Sequence, residues 1–345
     1  MVASPVNPTP AVSVVLPAFN AAATLSRAIA SLRAQTLSAW ELIVIDDGST
    51  DATAEIVRQA RDDARVRLFR QPHAGIVAAL NRGLAEARAP LIARLDADDV
   101  CHPDRLGEQC ALLAAAPSLG VASCLVEHGG DRDRTLGYAL HVDWINASCE
   151  PDDIRRNRFV EAPLAHPTVV FRREIVERHG GYASGDFPED YELWLRWLDA
   201  GVAFAKVRRA LLTWHDSPGR LSRLDPRYRP DAFFALKAPW IARELSRRGI
   251  TAERAVWVWG AGRPTRKRAQ HLERYGVTIG GFIDVDEKKI GGIIGGRHVV
   301  GPDTIPGPRD AFVLGYVSSR GARDWIREAL RTKGYRETDD FLMCA

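Results

Sequence analysis

Three carboxylates crowd into four residues at Asp96-Ala97-Asp98-Asp99. Such a group repels itself and costs stability unless something compensates. A divalent cation does so, and carboxylate oxygens joined by phosphate oxygens are the donor set that Mn2+ or Mg2+ accepts. The competing reading is a solvated turn with Asp99 capping a helix, since Pro103 and Asp104 soon follow. A second acidic run, Asp46-Asp47-Gly48-Ser49, precedes Asp51. Capping explains it equally well, but an aspartate at the carboxyl end of a strand can also accept hydrogen bonds from a nucleobase or ribose. A third pair, Glu189-Asp190, stands ahead of Tyr191, Trp194, Leu195 and Leu198, whose spacing marks one face of a helix. Acids in a first turn complement the helix dipole whatever else they do.

The elements around these acids follow from apolar patterning. Short apolar runs at 11–16, 40–45, 66–70 and 91–95 read as strands. Helical spacing over 20–35, 53–64 and 76–87 fills the gaps. Strands alternating with helices imply βαβ units and a mostly parallel sheet, whose ligands gather at the carboxyl ends of the strands. Both acidic runs follow strands, so they fall on one edge of that sheet. Pro17 to Asn20 ends the first strand on the same edge, and together these outline a nucleotide site. The segment 127–158 is polar and reads as a long irregular loop. The stripe Phe233, Phe234, Leu236, Trp240 and Leu245 belongs to a helix that either packs between domains or touches a membrane surface.

Composition narrows the function classes. The chain has 345 residues, 46% hydrophobic and 26% charged, which suits a folded protein of two or three domains. A net charge of +3 gives no case for nucleic acid. All six lysines lie at or after Lys206, so an anion clamp in the first 200 residues must be arginine, histidine or metal. Five cysteines without CxxC spacing argue against a disulfide framework or zinc site and fit a reducing compartment. Met1 to Pro10 has neither the basic nor the apolar region of a secretory leader, and the apolar stretch 110–126 is broken by Pro117 and Gly120.

The strings VSVVLPAFNAAATLSRAIASLRAQTLSAWELIVIDDGSTDAT and AALNRGLAEARAPLIARLDADDVCHPDRL resemble the family 2 glycosyltransferases of GT-A fold over roughly residues 11 to 225. The resemblance implies a Rossmann-like mixed sheet and an enzyme that takes a sugar from a nucleotide-diphosphate donor with inversion. Carried over by motif, Pro17, Phe19 and Asn20 line the nucleoside pocket, Asp47 holds the base edge and Asp46 supports it. Asp96 and Asp98 are the acids of the DXD motif: Asp96 touches ribose or metal, Asp98 ligates the metal, and Asp99 braces the loop. Asp190 of the ED pair is the base for the acceptor hydroxyl, with Glu189 beside it. His166 either shapes the sugar pocket or is a core or turn histidine. His215 is a candidate metal ligand, and Arg220 and Arg223 are candidate diphosphate partners. The family pattern often has an arginine directly after the aromatic residue, where this chain has His215 after Trp214.

The expected architecture is a disordered 1–10, a GT-A domain over 11–230 with halves 11–110 and 111–230, a connecting helix 231–251, and a small Rossmann-like α/β domain over 252–345. In the last, Gly260-Ala261-Gly262 follows a strand and Asp284 closes the next one, the positions of a dinucleotide fingerprint whose third glycine is missing. A degenerate structural role and a nucleotide site both remain open there. The expected donor is a UDP- or dTDP-sugar and the acceptor a glycan or lipid-linked glycan, in cell-surface polysaccharide synthesis. Peripheral membrane contact at the inner face of the plasma membrane and self-association are further expectations for a cytoplasmic enzyme. An inactive nucleotide-sugar sensor is the alternative. A sugar nucleotidyltransferase fits worse, because LPAFNAAATL has no glycine to cradle phosphate.

Overall fold

The computed structural model describes residues 9–216, 219–250, 254–319 and 321–345. Most of the expected disordered start, and the expected domain start at 252, lie outside these residues. The chain divides into two compact units. One comprises residues up to Ile154, Pro163–Gly185 and Arg196–Arg223; the other comprises Arg155–Ala162, Asp186–Leu195 and Leu224–Ala345.

The first unit opens with alternating strands and helices: β1 (Val12–Ala18), α1 (Leu25–Arg33), β2 (Trp40–Asp46), α2 (Thr53–Ala60), β3 (Val66–Arg70), α3 (Ile76–Glu86) and β4 (Leu91–Arg94). β1 and β2 are buried at every position, which is why they read as unbroken apolar runs rather than alternating ones. Then follow β5 (Val100–Cys101), α4 (Arg105–Ala115), β6 (Leu119–Gly129), α5 (Leu136–Ala147), α6 (Pro151–Asn157), β7 (Val170–Arg172), α7 (Arg173–His179), α8 (Glu189–Asp199), β8 (Ala203–His215) and α9 (Leu221–Leu224), of which the end of α6, the start of α8 and Leu224 are assigned to the other unit. The sheet has eight strands in the order β3-β2-β1-β4-β7-β6-β8-β5. β1 runs parallel to both β2 and β4, so the carboxyl ends of these strands share one edge. β7 runs antiparallel to β4 and to β6, which makes the sheet mixed.

The segment 127–158 is not the loop that its polarity suggests. It holds the end of β6, all of α5 and all of α6. Ala139, Val142 and Ile145 are buried at a spacing of three along α5. The charged stretch 131–134 before the helix, and Asp143 within it, mask that stripe in the sequence.

The second unit contains α10 (Pro230–Arg247), β9 (Ala255–Trp259), α11 (Arg263–Glu273), β10 (Ile279–Ile283), β11 (Ile293–Ile294), β12 (Arg297–Val300), β13 (Ala311–Gly315), α12 (Ala322–Thr332) and β14 (Phe341–Met343). Its sheet runs β11-β12-β10-β9-β13-β14, parallel except at the β11–β12 pair. α10 is a core element here, not a bare connector. Phe234, Ala238, Ile241 and Leu245 are buried in one cluster with Val256, Val258, Phe312 and Leu314, and with Phe159, Tyr191 and Leu195 from earlier in the chain. Phe233, Leu236 and Trp240 pack against the same cluster, so this stripe is turned to protein rather than to a membrane surface. Among the described residues, no helix is long and apolar enough to cross a membrane.

α3 lies against β1 through Gly83, where a β-carbon would overlap Cγ1 of Val15. Val15 is stiff at χ1 and buried, so it cannot yield cheaply. Gly83→Ala should therefore lower stability by about 1–3 kcal/mol through overpacking, despite alanine's better helix propensity. A urea unfolding midpoint equal to or above that of the wild type would contradict this packing.

Candidate active site

The carboxyl ends of β1 and β2 meet in register, with Pro17 opposite Ile45 and Ala18 opposite Asp46. Asp46 is fully buried; it accepts from Ser49 N at 2.9 Å and from Arg70 Nε at 2.7 Å. Asp47 is nearly as buried, and both of its oxygens serve the 71–75 segment. Oδ1 accepts from Gln71 Nε2 at 2.6 Å and Ala74 N at 3.0 Å, and Oδ2 from Gly75 N at 2.8 Å. In this conformation Asp47 braces the loop after β3. Gly48 makes the brace feasible: its φ is +79°, and a β-carbon there would meet His73 N at 2.7 Å.

That loop brings up a residue the sequence did not single out. The His73 ring stacks on Phe19, centroids 4.2 Å apart, and Phe19 is 48% exposed. The pair forms a flat aromatic shelf at the mouth of the edge. Asn20 turns the chain beside it at a left-handed φ of 49°, its Oδ1 accepting from Thr50 N at 2.9 Å. His73 follows β3 as the other site segments follow β1, β2 and β4. That position was the available signal.

After β4 the chain enters the acidic group. One carboxylate oxygen each from Asp96, Asp98 and Asp99 lies within 4.8 Å of the others. Arg94, nearly fully buried, ion-pairs with Asp96. Arg27 Nη2 donates to the Asp98 carbonyl at 3.1 Å. Asp99 is 1% exposed; its Oδ1 accepts from His215 N at 2.8 Å, while Oδ2 is buried with no hydrogen-bond partner among the described residues. Nδ1 of His215 is likewise buried without a hydrogen-bond partner, 4.0 Å from Asp99 Oδ1. Burial, then the charge of Asp96, pushes the Asp98 carboxyl up to about 6. Burial and the same neighbours hold Asp99 well above the usual carboxylate range. Buried polar atoms are normally paired. Buried, unpartnered Asp99 Oδ2 and His215 Nδ1 beside two carboxyls held toward their neutral form make a donor set of the kind a hard cation takes. The residues present therefore fit a hard divalent ion. His215 stands next to the three-acid group, linked through Asp99, rather than inside it.

The arginines after β8 are engaged within the unit. Arg220 stacks over Trp214 at 4.6 Å and Tyr138 at 4.9 Å from the ring centroids. Its charge acts on Asp96 and Asp99. Arg223 pairs with Asp216, whose Oδ1 is a further buried atom without a hydrogen-bond partner among the described residues. His166 is a core histidine: buried, with Nε2 2.7 Å from the Tyr182 hydroxyl. Burial, then Arg94, holds its pKa well below the usual histidine range.

In the second unit, Glu189 and Asp190 open α8, so both stand in its first turn. Glu189 is 3% exposed and Asp190 half-buried; Asp190 Oδ1 accepts from Tyr191 N at 2.7 Å. At the carboxyl end of β9, Gly260 has a φ of +113°, with Thr265 and Val317 where a β-carbon would sit. Gly262 precedes α11. Asp284 spends its carboxylate inside this turn, accepting from Ala261 N at 2.8 Å and Asp286 N at 3.0 Å, with Lys289 Nζ at 3.3 Å. Those contacts hold its pKa below the usual value despite burial.

The family model described as glycosyl transferase family 2 matches residues 13–180. The putative glycosyltransferase EpsE of Bacillus subtilis (strain 168) is 30% identical over 214 residues, covering 59% of this chain and 73% of EpsE. The chain belongs to glycosyl transferase family 2. This glycosyltransferase is also 44% identical over 205 residues to the succinoglycan biosynthesis protein ExoU of Rhizobium meliloti (strain 1021), covering 56% of this chain and 58% of ExoU. The amylovoran biosynthesis glycosyltransferase AmsE of Erwinia amylovora is 29% identical over 194 residues, 54% of this chain and 69% of AmsE. Among solved structures, S. aureus TarS 1–349 in complex with UDP-GlcNAc superposes with a TM-score of 0.53 at 16% identity, covering 76% of this chain and 71% of that one. The enzyme has the GT-A fold. The family model stops before Glu189, so the ED pair and the second sheet lie beyond it.

The acid cluster sets a stability trade. Because the folded-state pKa of Asp98 is raised, its protonated form favours the fold at low pH. That contribution fades as pH rises through about 6. Asp98→Asn should thus melt higher than the wild type at pH 8 in EDTA, with the gap closing toward pH 4. It should also lose the upward shift that Mn2+ gives the wild type. A variant that melts lower in EDTA at pH 8, or still responds to Mn2+, would remove Asp98 from this role.

Proposed function

We propose that this enzyme transfers a sugar from a nucleotide-diphosphate donor, UDP- or dTDP-linked, to a hydroxyl of a glycan or lipid-linked glycan acceptor, with inversion, in the synthesis of a cell-surface polysaccharide. The observation that carries the reading is the acidic cluster of residues 96–99, with its buried unpaired oxygen, on the sheet edge that also presents the Phe19–His73 shelf. The succinoglycan and amylovoran relatives, named for polysaccharide biosynthesis, support the substrate class. An acceptor on a lipid carrier would bring the enzyme to the inner membrane face.

In this reading Asp98 and Asp96, with Asp99 and His215 beside them, would hold Mn2+ or Mg2+, which would supply positive charge against a departing nucleoside diphosphate. The chain's own groups do the rest. Phe19 and His73 offer a flat face to the nucleobase. Pro17 and Asn20 shape the rim, and Asp46 and Asp47 keep it rigid. Arg220, already placed beside the acids, adds a fixed cation for phosphate oxygens, and Arg223 a second on exchange of Asp216. Asp190 accepts the proton from the acceptor hydroxyl oxygen. From the first turn of α8 it takes that proton late, as the new C–O bond forms and the hydroxyl becomes acidic.

Asp190→Asn should leave nucleotide affinity intact and lower kcat by about 10²-fold, the scale of a lost general base. Near-normal turnover would move the role to another residue. By calorimetry, Asp98→Ala should bind UDP equally with and without Mn2+, whereas the wild type gains affinity from the ion. Absence of that gain in the wild type would end the metal assignment.

A further inference from the structure

Glu189 and Asp190 are neighbours at a helix start, where the first backbone N–H groups have no intrahelical partner and either carboxylate could turn onto them. The second unit gives each carboxylate its own donor. Oη of Tyr228 donates to Glu189 Oε2 at 2.5 Å, and Asp190 takes Tyr191 N at 2.7 Å. Tyr228 ends a short turn, Pro226–Tyr228, that is fixed locally. The Asp225 carboxylate accepts from Arg227 N at 2.9 Å and from the Arg227 guanidinium at 3.1 and 2.8 Å. Burial, then the charges of Glu189 and Asp190, pushes the Tyr228 phenol far above its usual range, so it stays a donor.

The turn leads straight into α10, and α10 holds the rest of the α8 start. The Phe233 ring lies 5.6 Å from that of Tyr191, and the Tyr191 hydroxyl donates to Arg158 O at 2.7 Å. Arg158 pairs with Glu244 of α10 at 3.2 Å. Nζ of Lys237, buried in α10, donates to Phe159 O at 2.9 Å, Val160 O at 3.3 Å and Cys344 O at 2.5 Å, tying two distant segments to one helix. The first turn of α8 thus belongs to the core of the C-terminal sheet unit.

We propose that Tyr228 is a positioning residue for the acceptor-activating pair: by engaging Glu189 it leaves the first-turn amide to Asp190 and fixes that carboxylate's direction. The C-terminal sheet unit serves the transfer reaction by carrying this clamp. The inference rests on the reading of Asp190 as the base. It gives the appended domain a task in turnover without requiring a ligand of its own.

The test uses the full chain and compares Tyr228→Phe, Glu189→Ala, the two combined, and Asp190→Asn. Tyr228→Phe should lower kcat about tenfold or more, with donor KM and UDP affinity unchanged, as expected for a displaced reacting group. The combined variant should be no slower than the slower single one, because both changes break the same contact. Wild-type kcat in Tyr228→Phe overturns the proposal. So does a combined loss equal to the product of the single losses, or a kcat loss accompanied by weakened donor binding. If Tyr228→Phe does not fold, Asp225→Ala carries the test: lower kcat at unchanged donor KM supports the clamp, and unchanged kcat overturns it. Near-normal turnover in Asp190→Asn refutes the base assignment itself. An inactive Asp190→Asn beside an unaffected Tyr228→Phe refutes only the clamp.

Discussion

Mutual repulsion among Asp96, Asp98 and Asp99 is the constraint around which the first unit is arranged. Crowding within 4.8 Å, together with burial, pushes the Asp98 and Asp99 carboxyls toward their neutral form. The fold supplies part of the compensation as fixed positive charge: Arg94 beneath Asp96, and Arg220 beside the group. The remainder is left uncompensated, as the orphaned Asp99 oxygen and the raised pKa of Asp98 record. A protein selected only for stability would replace one of these acids. Keeping all three is reasonable where the missing charge arrives with the substrate.

The scaffold beneath the cluster is correspondingly polar and hydrogen-bonded through Arg105 and Gln109. Arg105, with no exposure at all, donates to the Arg94 carbonyl at 2.8 Å and to Gln109 Oε1 at 3.1 Å. Gln109 Nε2 in turn donates to Ala122 O at 2.9 Å and Thr168 O at 2.7 Å. This buried network joins β4, α4, β6 and the turn before β7. A network of this kind is rigid because every member would be costly to leave unpaired.

The sequence showed most of the first sheet because its strands are buried on both faces and its helices carry one apolar stripe each. It also placed both acidic runs on one edge, since parallel strands bring their carboxyl ends together. What it hid depends on contacts between distant residues. Nothing local marks Tyr228, in an arginine-rich stretch, as the partner of Glu189. Nothing local shows that residues 155–162 and 186–195 share a core with α10 and the last sheet. α5 was hidden differently: its stripe of Ala139, Val142 and Ile145 is present but is crowded by charge. The dinucleotide-like glycines of the last domain were legible, yet Asp284 turned out to be occupied by the turn itself.

The uneven spread of lysine has a practical side. Lys206 and Lys237 are buried, each held by backbone carbonyls. The other four, Lys267, Lys288, Lys289 and Lys333, all belong to the second unit. Amine-directed reagents such as succinimidyl esters will therefore find their accessible ε-amino groups there. Coupling to a bead or a fluorophore through lysine would leave the exposed side chains of the first unit unmodified.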